Sequence, residues 1–234
     1  MNGENFHGCA AILFDFGGTL DSDGLHWLTR FFALYEGAGL VIPRPEIARA
    51  FYHAVDTCYA DPSVASMGIR LLVGYHVRLQ FEALGIEDRS KEREIAERFI
   101  SDCESVFISR LSLLKRMERA YRLGVVSNFY GNLEIVLEEA RLSELFDVVI
   151  DSNRVGVRKP DRKIFLLALA RLGLPANQVI FVGDSLERDV YPAADAGMKA
   201  IWLKGPDERP GQGVRQAEVW ESITRLTDLE ELLR

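Results

Sequence analysis

The sequence predicts an α/β protein, with a doubly wound parallel sheet and an inserted all-helical domain. Short apolar runs bounded by polar or turn residues are typical of strands that a parallel sheet buries on both faces. Amphipathic helical patterns alternate with the later runs, as a doubly wound, Rossmann-like sheet requires. The stretch after the first run is entirely helical in pattern. The predicted strands lie at 9–15, 123–128, 146–152, 179–185 and 199–204.

The helical patterns justify this assignment. Between the second and third runs, Leu133, Val136 and Leu137 share one helical face, and residues 161–173 repeat the pattern before a Gly-Leu-Pro stop. Residues 23–108 hold four segments with apolar residues three and four apart, which predicts an inserted helical cap domain. The remaining segments, 1–22 and 109–234, form the predicted core domain. The apolar positions of the four cap segments are Leu25, Leu28, Phe32 and Tyr35; Ile47, Phe51 and Val55; Leu72, Tyr75 and Leu79; and Ile95, Phe99, Cys103 and Phe107.

Composition narrows the function. The chain has 234 residues, 48% of them hydrophobic, and a formal net charge of −7 without any run of basic residues, so we expect no nucleic-acid partner. Its three cysteines form no CxxC pair, which disfavours a disulfide framework or a zinc site. No apolar stretch reaches the roughly 18 residues of a membrane span. We therefore expect a cytoplasmic protein that does not enter membranes.

Polar residues follow the predicted strands where each strand ends. Asp15 ends the first run, Ser127 and Asn128 the second, and Asp184 the fourth, while Lys159 lies in the loop after the third. In an open parallel sheet, ligands bind at the carboxyl ends of the strands. These side chains are therefore expected to form one polar cluster.

Four stretches in this order, "DFGGTL", "VVSNF", "VGVRKPD" and "VGDSLERDV", resemble the four motifs of the haloacid dehalogenase superfamily. Most of its members are magnesium-dependent phosphotransferases, and the helical insertion sits where the family's first type of cap sits. The resemblance implies that Asp15 attacks phosphorus to form an aspartyl phosphate. It implies that Thr19 braces the nucleophile loop by hydrogen bonds, and that Ser127 and Asn128 bind a phosphoryl oxygen.

The same resemblance implies that Lys159 offsets the negative charge of the phosphoryl oxygens in the transition state. It assigns a Mg²⁺ ion to Asp15, the backbone carbonyl of Gly17, Asp184 and Asp189, with Asp189 binding the ion or orienting a water ligand. A closing helical cap implies a small phosphorylated metabolite as the substrate.

Gly17 departs from the family pattern, because phosphatases of the family usually carry a second Asp there, as the general acid and base. Its loss removes a contribution of about 10²–10⁴ in rate. Dehalogenases also lack that Asp, but they do not keep the paired aspartates present here as Asp184 and Asp189. Phosphonate-cleaving members use a cap lysine, and residues 23–90 contain none. Both alternatives are therefore disfavoured.

Three interpretations follow from this departure. The protein is a phosphohydrolase whose leaving group needs no proton or whose acid comes from elsewhere, with Asp21, Asp23 and His26 close to the motif. Alternatively, it binds a phosphorylated ligand with little turnover, as a binding or regulatory module. In the third interpretation, phosphorylated Asp15 passes its phosphoryl group to another acceptor.

Residues 204–218 are predicted to form a mobile surface loop.

Overall fold

A computed structural model describes residues 6–206 and 219–234. Its centre is a six-stranded sheet in the order β3-β2-β1-β4-β5-β6, in which every neighbouring pair is parallel. All five predicted strands are present, so the predicted fold class is confirmed. The strands are β1 (Ala11–Phe14), β2 (Arg122–Ser127), β3 (Val148–Asp151), β4 (Val179–Gly183), β5 (Lys199–Leu203) and β6 (Glu221–Ile223).

The edge strand β6 was not predicted, because it is only three residues long and Ile223 is its one buried residue. It therefore lacks the apolar run that indicates a buried strand. The predicted mobile loop at 204–218 lies mostly outside the described residues, since 207–218 are not among them.

Four long helices follow the first strand, as predicted: α1 (Trp27–Gly37), α2 (Arg44–Ala60), α3 (Ile69–Leu84) and α4 (Arg89–Met117). Helix α4 runs through position 108, so the predicted boundary between the cap and core segments falls inside a helix. The domain boundaries stay a prediction. The helices that follow the later strands are α5 (Leu133–Glu139), α6 (Ser152–Val155), α7 (Arg162–Leu172), α8 (Tyr191–Asp195) and α9 (Leu229–Leu232).

Hydrogen bonds join the four-helix insertion to the sheet region. The Asn132 side chain donates to the Met67 carbonyl at 2.7 Å, and the Asn153 side chain donates to the Tyr59 carbonyl at 2.9 Å. At the start of α3, the Ile69 amide donates to the Glu139 carboxylate at 2.8 Å. A carboxylate at a helix N-terminus is favourable because the free amides and the helix dipole attract negative charge. No described helix is long and apolar enough to cross a membrane.

The sheet has a topological switch at its centre. β1 pairs with β2 on one side, with Phe14 opposite Val125, and with β4 on the other, with Phe14 opposite Val182. The strand order reverses there, which opens a crevice at the carboxyl ends of the strands. Asp15, the residue after β1, lies at that crevice.

Candidate active site

The lysine at the centre of the site bridges two buried aspartates. Lys159 is 4% exposed, and its Nζ lies 2.6 Å from Asp15 Oδ1 and 2.5 Å from Asp189 Oδ1. Burial lowers the pKa of Lys159, but the two carboxylates outweigh it and raise the pKa above its ordinary value. The ammonium group is therefore charged, and it compensates part of the negative charge that the strand ends bring together.

The nucleophile candidate is held through one of its two oxygens. Asp15 Oδ1 accepts a hydrogen bond from Ser127 Oγ at 2.8 Å in addition to its contact with Lys159. The Asp15 amide donates to the Val182 carbonyl of β4 at 2.9 Å, which extends the sheet pairing to the site. Since Oδ1 is engaged by both partners, Oδ2 is the oxygen left to contact a substrate.

The side chain of Asn128 contacts the main chain of the lysine loop. Its Nδ2 donates to the Lys159 carbonyl at 2.9 Å, and the Lys159 amide donates to its Oδ1 at 2.8 Å. Both polar atoms of the amide thus position Lys159. The phosphoryl-binding role predicted for Asn128 stays a prediction, although the residue does line the cavity described below.

Three carboxylates form a group that suits a divalent cation. One oxygen each of Asp15, Asp184 and Asp189 lies within 4.8 Å of the others. Burial and then the charges of Asp189 and Asp15 raise the pKa of Asp184 well above its ordinary value, and burial likewise raises that of Asp189. One lysine cannot neutralise three buried carboxylates, and oxygen ligands are those that Mg²⁺ prefers. The donor set therefore fits Mg²⁺.

One of the two glycines of the nucleophile loop allows Asp184 to approach the loop this closely. Gly18 has φ +93°, and a Cβ atom there would collide with the Asp184 carboxylate. Gly17 has φ −75° and ψ 115°, which any residue adopts, and a Cβ atom there would lie 3.6 Å from Trp27 Nε1. Gly18 is therefore required by geometry, whereas Gly17 is not.

The threonine of the nucleophile loop is buried. Thr19 is fully buried, but its Oγ1 has no hydrogen-bond partner among the described residues. The bracing role of Thr19 stays a prediction. The loop is held by Asp21, whose Oδ1 accepts from the Gly18 amide at 2.7 Å.

Asp21 belongs to a buried network behind the nucleophile loop. Its Oδ2 accepts from Trp27 Nε1 at 2.5 Å and from Arg30 Nη1 at 3.2 Å. Arg30 lies over the Phe99 ring, 3.7 Å from its centroid. Burial raises the pKa of Asp21, and the charge of Arg30 opposes that rise. The network fixes the Trp27 indole next to Gly17, on the side from which a residue-17 side chain would project.

The other acidic residue close to the motif is also engaged. Asp23 Oδ1 lies 2.6 Å from Arg110 Nη2 and accepts from the Leu226 amide at 2.8 Å. Neither Asp21 nor Asp23 lines the cavity next to Asp15, whereas His26 does. Of these three possible substitutes for the missing acid, only His26 is in contact with the site.

A cavity of about 190 Å³ lies between the strand ends and the helical insertion. Aromatic rings form much of its wall, and its polar lining joins the carboxylates to residues of α1 and α2. The sequence analysis did not single out Tyr130, Ser185 or Arg188 for this site. The available signal was position, because Ser185 and Arg188 lie within the fourth motif and Tyr130 directly follows the second. The lining residues are Asp15, Gly17, His26, Trp27, Phe51, Tyr52, Val55, Asp56, Tyr59, Ser127, Asn128, Phe129, Tyr130, Arg158, Lys159, Asp184, Ser185, Arg188 and Asp189.

The structure is that of an α/β protein whose candidate site, at a topological switch, holds a buried lysine, the aspartate after the central strand and two further aspartates. Comparison with known proteins agrees. The family model of haloacid dehalogenase-like hydrolases matches residues 9–197, and the chain belongs to that family.

The curated relatives include pyrimidine 5'-nucleotidase YjjG of Escherichia coli, 34% identical over 125 residues, which are 53% of this chain and 54% of that protein. Glyceraldehyde 3-phosphate phosphatase of Pyrococcus abyssi is 37% identical over 98 residues, 41% of each chain. The chain spans about half the length of the curated relatives it matches. A solved dehalogenase with an intermediate complex superposes with a TM-score of 0.65 over 97% of both chains at 18% identity, which shows the shared fold.

Proposed function

We propose that the protein is a magnesium-dependent hydrolase that removes the phosphoryl group of a small phosphorylated metabolite through an aspartyl phosphate on Asp15. The observation that carries this proposal is the double contact of the buried Lys159 with Asp15 and Asp189, beside Asp184. A charged lysine between the nucleophile and the cation-binding carboxylates suits a group that brings its own negative charge. The four motifs and the family membership support the same chemistry.

In the first step, Asp15 Oδ2 attacks phosphorus while the bond from phosphorus to the leaving oxygen breaks. Ser127 and Lys159 fix the Asp15 carboxylate through Oδ1, so that Oδ2 is already oriented for attack on phosphorus. Lys159 also lowers the repulsion between the carboxylate and the phosphoryl oxygens. In the second step, water attacks phosphorus while the bond from phosphorus to Asp15 Oδ2 breaks. This restores the Asp15 carboxylate and releases inorganic phosphate, which carries the protons of the water.

Asp15, Asp184, Asp189 and the Gly17 carbonyl would hold Mg²⁺. When bound, the ion supplies positive charge that offsets the charge of the phosphoryl oxygens in the transition state. Asp189 Oδ1 contacts Lys159, and Asp189 Oδ2 accepts a hydrogen bond from the Ser185 amide at 3.1 Å. Asp184 is therefore the carboxylate better placed to bind the Mg²⁺ ion directly.

The cavity limits the size of the substrate. A cavity of about 150 Å³ holds one benzene molecule, so about 190 Å³ accommodates a phosphoryl group with a few more heavy atoms. Among the activities that name the relatives, a triose phosphate fits this volume better than a nucleotide does. We infer a small phosphorylated compound.

Gly17 restricts the leaving group. Without a carboxylate at position 17, no acid side chain of the nucleophile loop reaches the leaving oxygen, since Asp21 is held behind the loop. The natural reaction is therefore slow, or confined to leaving groups that depart without a proton, as in an acyl phosphate. Weak turnover with tight ligand binding would make the protein a binding or regulatory module, and Gly17 is the observation that favours this second candidate. Transfer from phosphorylated Asp15 to an acceptor other than water would make it a phosphotransferase.

The test compares the natural protein with Asp15→Asn on acetyl phosphate and on glycerol phosphate, with Mg²⁺ and with a chelator. We expect hydrolysis of acetyl phosphate that needs both Asp15 and Mg²⁺, with far slower hydrolysis of glycerol phosphate. Equal hydrolysis by Asp15→Asn would refute the mechanism. Mg²⁺-dependent ligand binding without any turnover would favour the binding module instead.

A further inference from the structure

His26 lies at the start of α1 and lines the same cavity as Asp15 and Gly17. The chain thus returns to the site within a few residues after the nucleophile loop. Other polar side chains of α1 and α2 that line the cavity are Tyr52, Asp56 and Tyr59, and the Trp27 indole N–H is already donated to Asp21.

The helix start fixes the tautomer of the imidazole. His26 Nδ1 accepts a hydrogen bond from the Leu28 amide at 3.2 Å, as an N-cap side chain does. A ring nitrogen that accepts a hydrogen bond carries no proton, so the neutral ring carries its proton on Nε2. Burial and then the nearby charge of Arg188 lower the pKa of His26 to about 4, against the opposing effect of Asp15. Near neutral pH the ring therefore offers one N–H donor and no free acceptor.

The direction of the displacement places the leaving group on the side of the cavity that the helical insertion forms. In phosphoryl transfer, the attacking and leaving oxygens lie roughly in line through phosphorus. Because Asp15 attacks from the strand ends, the leaving oxygen points toward the helical insertion. His26, at the start of α1, lines the cavity that Asp15 and Gly17 also line, so the imidazole borders the space that the leaving group occupies.

We propose that His26 is a catalytic residue that donates a hydrogen bond from Nε2 to the leaving oxygen, in place of the carboxylate that position 17 lacks. This inference rests on the proposed phosphoryl transfer to Asp15. The imidazole stabilises the negative charge that develops as the bond to phosphorus breaks, but it keeps its proton. It thus selects phosphorylated compounds whose leaving oxygen is stable as an anion, such as aryl and enol phosphate esters or acyl phosphates.

Two substitutions separate this role from the capping role of the same residue. His26→Asn keeps a side-chain acceptor for the Leu28 amide and is a good N-cap, but it removes the donor at the position of Nε2. His26→Gln keeps an N–H donor at about the distance of Nε2 and is a poor cap. His53→Asn, on the exposed face of α2, is the matched control.

The experiment measures kcat/KM for phenyl phosphate, 4-nitrophenyl phosphate and acetyl phosphate with Mg²⁺, together with Tm for each variant. Loss of a preorganised donor to a developing oxyanion costs about 10²–10³ in rate. We expect a loss of about 10² for His26→Asn on phenyl phosphate, a smaller loss on 4-nitrophenyl phosphate and little loss on acetyl phosphate, with Tm unchanged. His26→Gln is expected to recover much of the rate while lowering Tm, and His53→Asn to change neither.

The outcomes distinguish the two proposals. A loss that is equal for all three substrates, or absent in His26→Asn while Asp15→Asn is inactive, overturns the role of His26 and leaves the proposed function standing. Turnover that does not require Asp15, or no turnover at all, overturns the proposed function and this inference with it. Loss that increases with the basicity of the leaving oxygen supports both.

Discussion

Gly17→Asp supplies the acid that the nucleophile loop lacks, and the structure indicates that the loop accepts it. The backbone of Gly17 has φ −75° and ψ 115°, an ordinary extended conformation, and the new Cβ atom meets only Trp27, at 3.6 Å and 3.8 Å. Replacing a glycine in a compatible conformation stabilises by about 0.4–1 kcal/mol through the unfolded chain. An additional carboxylate near Asp15 and Asp184 opposes that gain, so we expect stability to change by less than about 1 kcal/mol.

The expected gain in rate comes from general acid catalysis. A positioned carboxyl group contributes about 10²–10⁴ in rate, equivalent to about 2.7–5.4 kcal/mol of transition-state stabilisation. This gain applies to alkyl phosphates, whose leaving alkoxide needs a proton. Hydrolysis of acetyl phosphate, whose leaving carboxylate needs none, should hardly change.

The assay measures kcat/KM on glycerol phosphate and acetyl phosphate for the natural protein, Gly17→Asp and Gly17→Asn. Asn has the size of Asp but no acid, so it controls for the added side chain. A folded, Mg²⁺-binding Gly17→Asp protein that hydrolyses glycerol phosphate no faster than Gly17→Asn would refute the reasoning, because a missing acid would then not limit the reaction.

Three further predictions concern stability. Burial lowers the pKa of His76 to about 3, so below the unfolded value of about 6.5 the unfolded chain binds a proton at this residue that the folded chain does not. Between pH 6 and 4 His76 should therefore lower the free energy of unfolding by about 1.4 kcal/mol per pH unit, and urea titrations of the natural protein and His76→Gln should differ by this slope. Asp184→Asn relieves the repulsion among the three carboxylates, so in the presence of a chelator Tm should rise by about 2–4 °C for each kcal/mol gained. The rise in Tm on adding Mg²⁺ should be smaller in this variant than in the natural protein, and a lower Tm with chelator would contradict the prediction. Asp21→Asn leaves the buried Arg30 without its charged partner and should cost about 3–5 kcal/mol in urea unfolding, part of which Arg30→Met in the same chain should restore.

The sheet was predictable because its strands are buried on both faces and appear as uninterrupted apolar runs. The buried face of α1 was predicted less well. The sequence predicted Leu25, Leu28, Phe32 and Tyr35, whereas the structure buries Trp27, Phe31 and Tyr35 together with Arg30, and only partly Leu28 and Phe32. Apolar residues at helical spacing occur on both faces of this segment, and the choice between them depends on the pairing of Arg30 with Asp21, a contact that sequence spacing does not predict.

The candidate site, like the fold, was predictable only in part from the sequence. That Asp15, Ser127, Lys159 and the two later aspartates meet was predictable, because parallel strands end at one edge of the sheet. Their finer contacts depend on the insertion and the loops. Nothing in the spacing indicated that Asn128 would bond to the Lys159 main chain or that the Thr19 hydroxyl would lack a partner.

The position of the Trp27 indole next to Gly17 has a consequence for the evolution of this chain. Because Asp21 holds Trp27 and also the Gly18 amide, a substitution at any of these positions changes what the others tolerate. Substitutions in direct contact typically couple by about 0.5–3 kcal/mol. Their effects on stability are therefore not additive, and the order in which such substitutions arise matters.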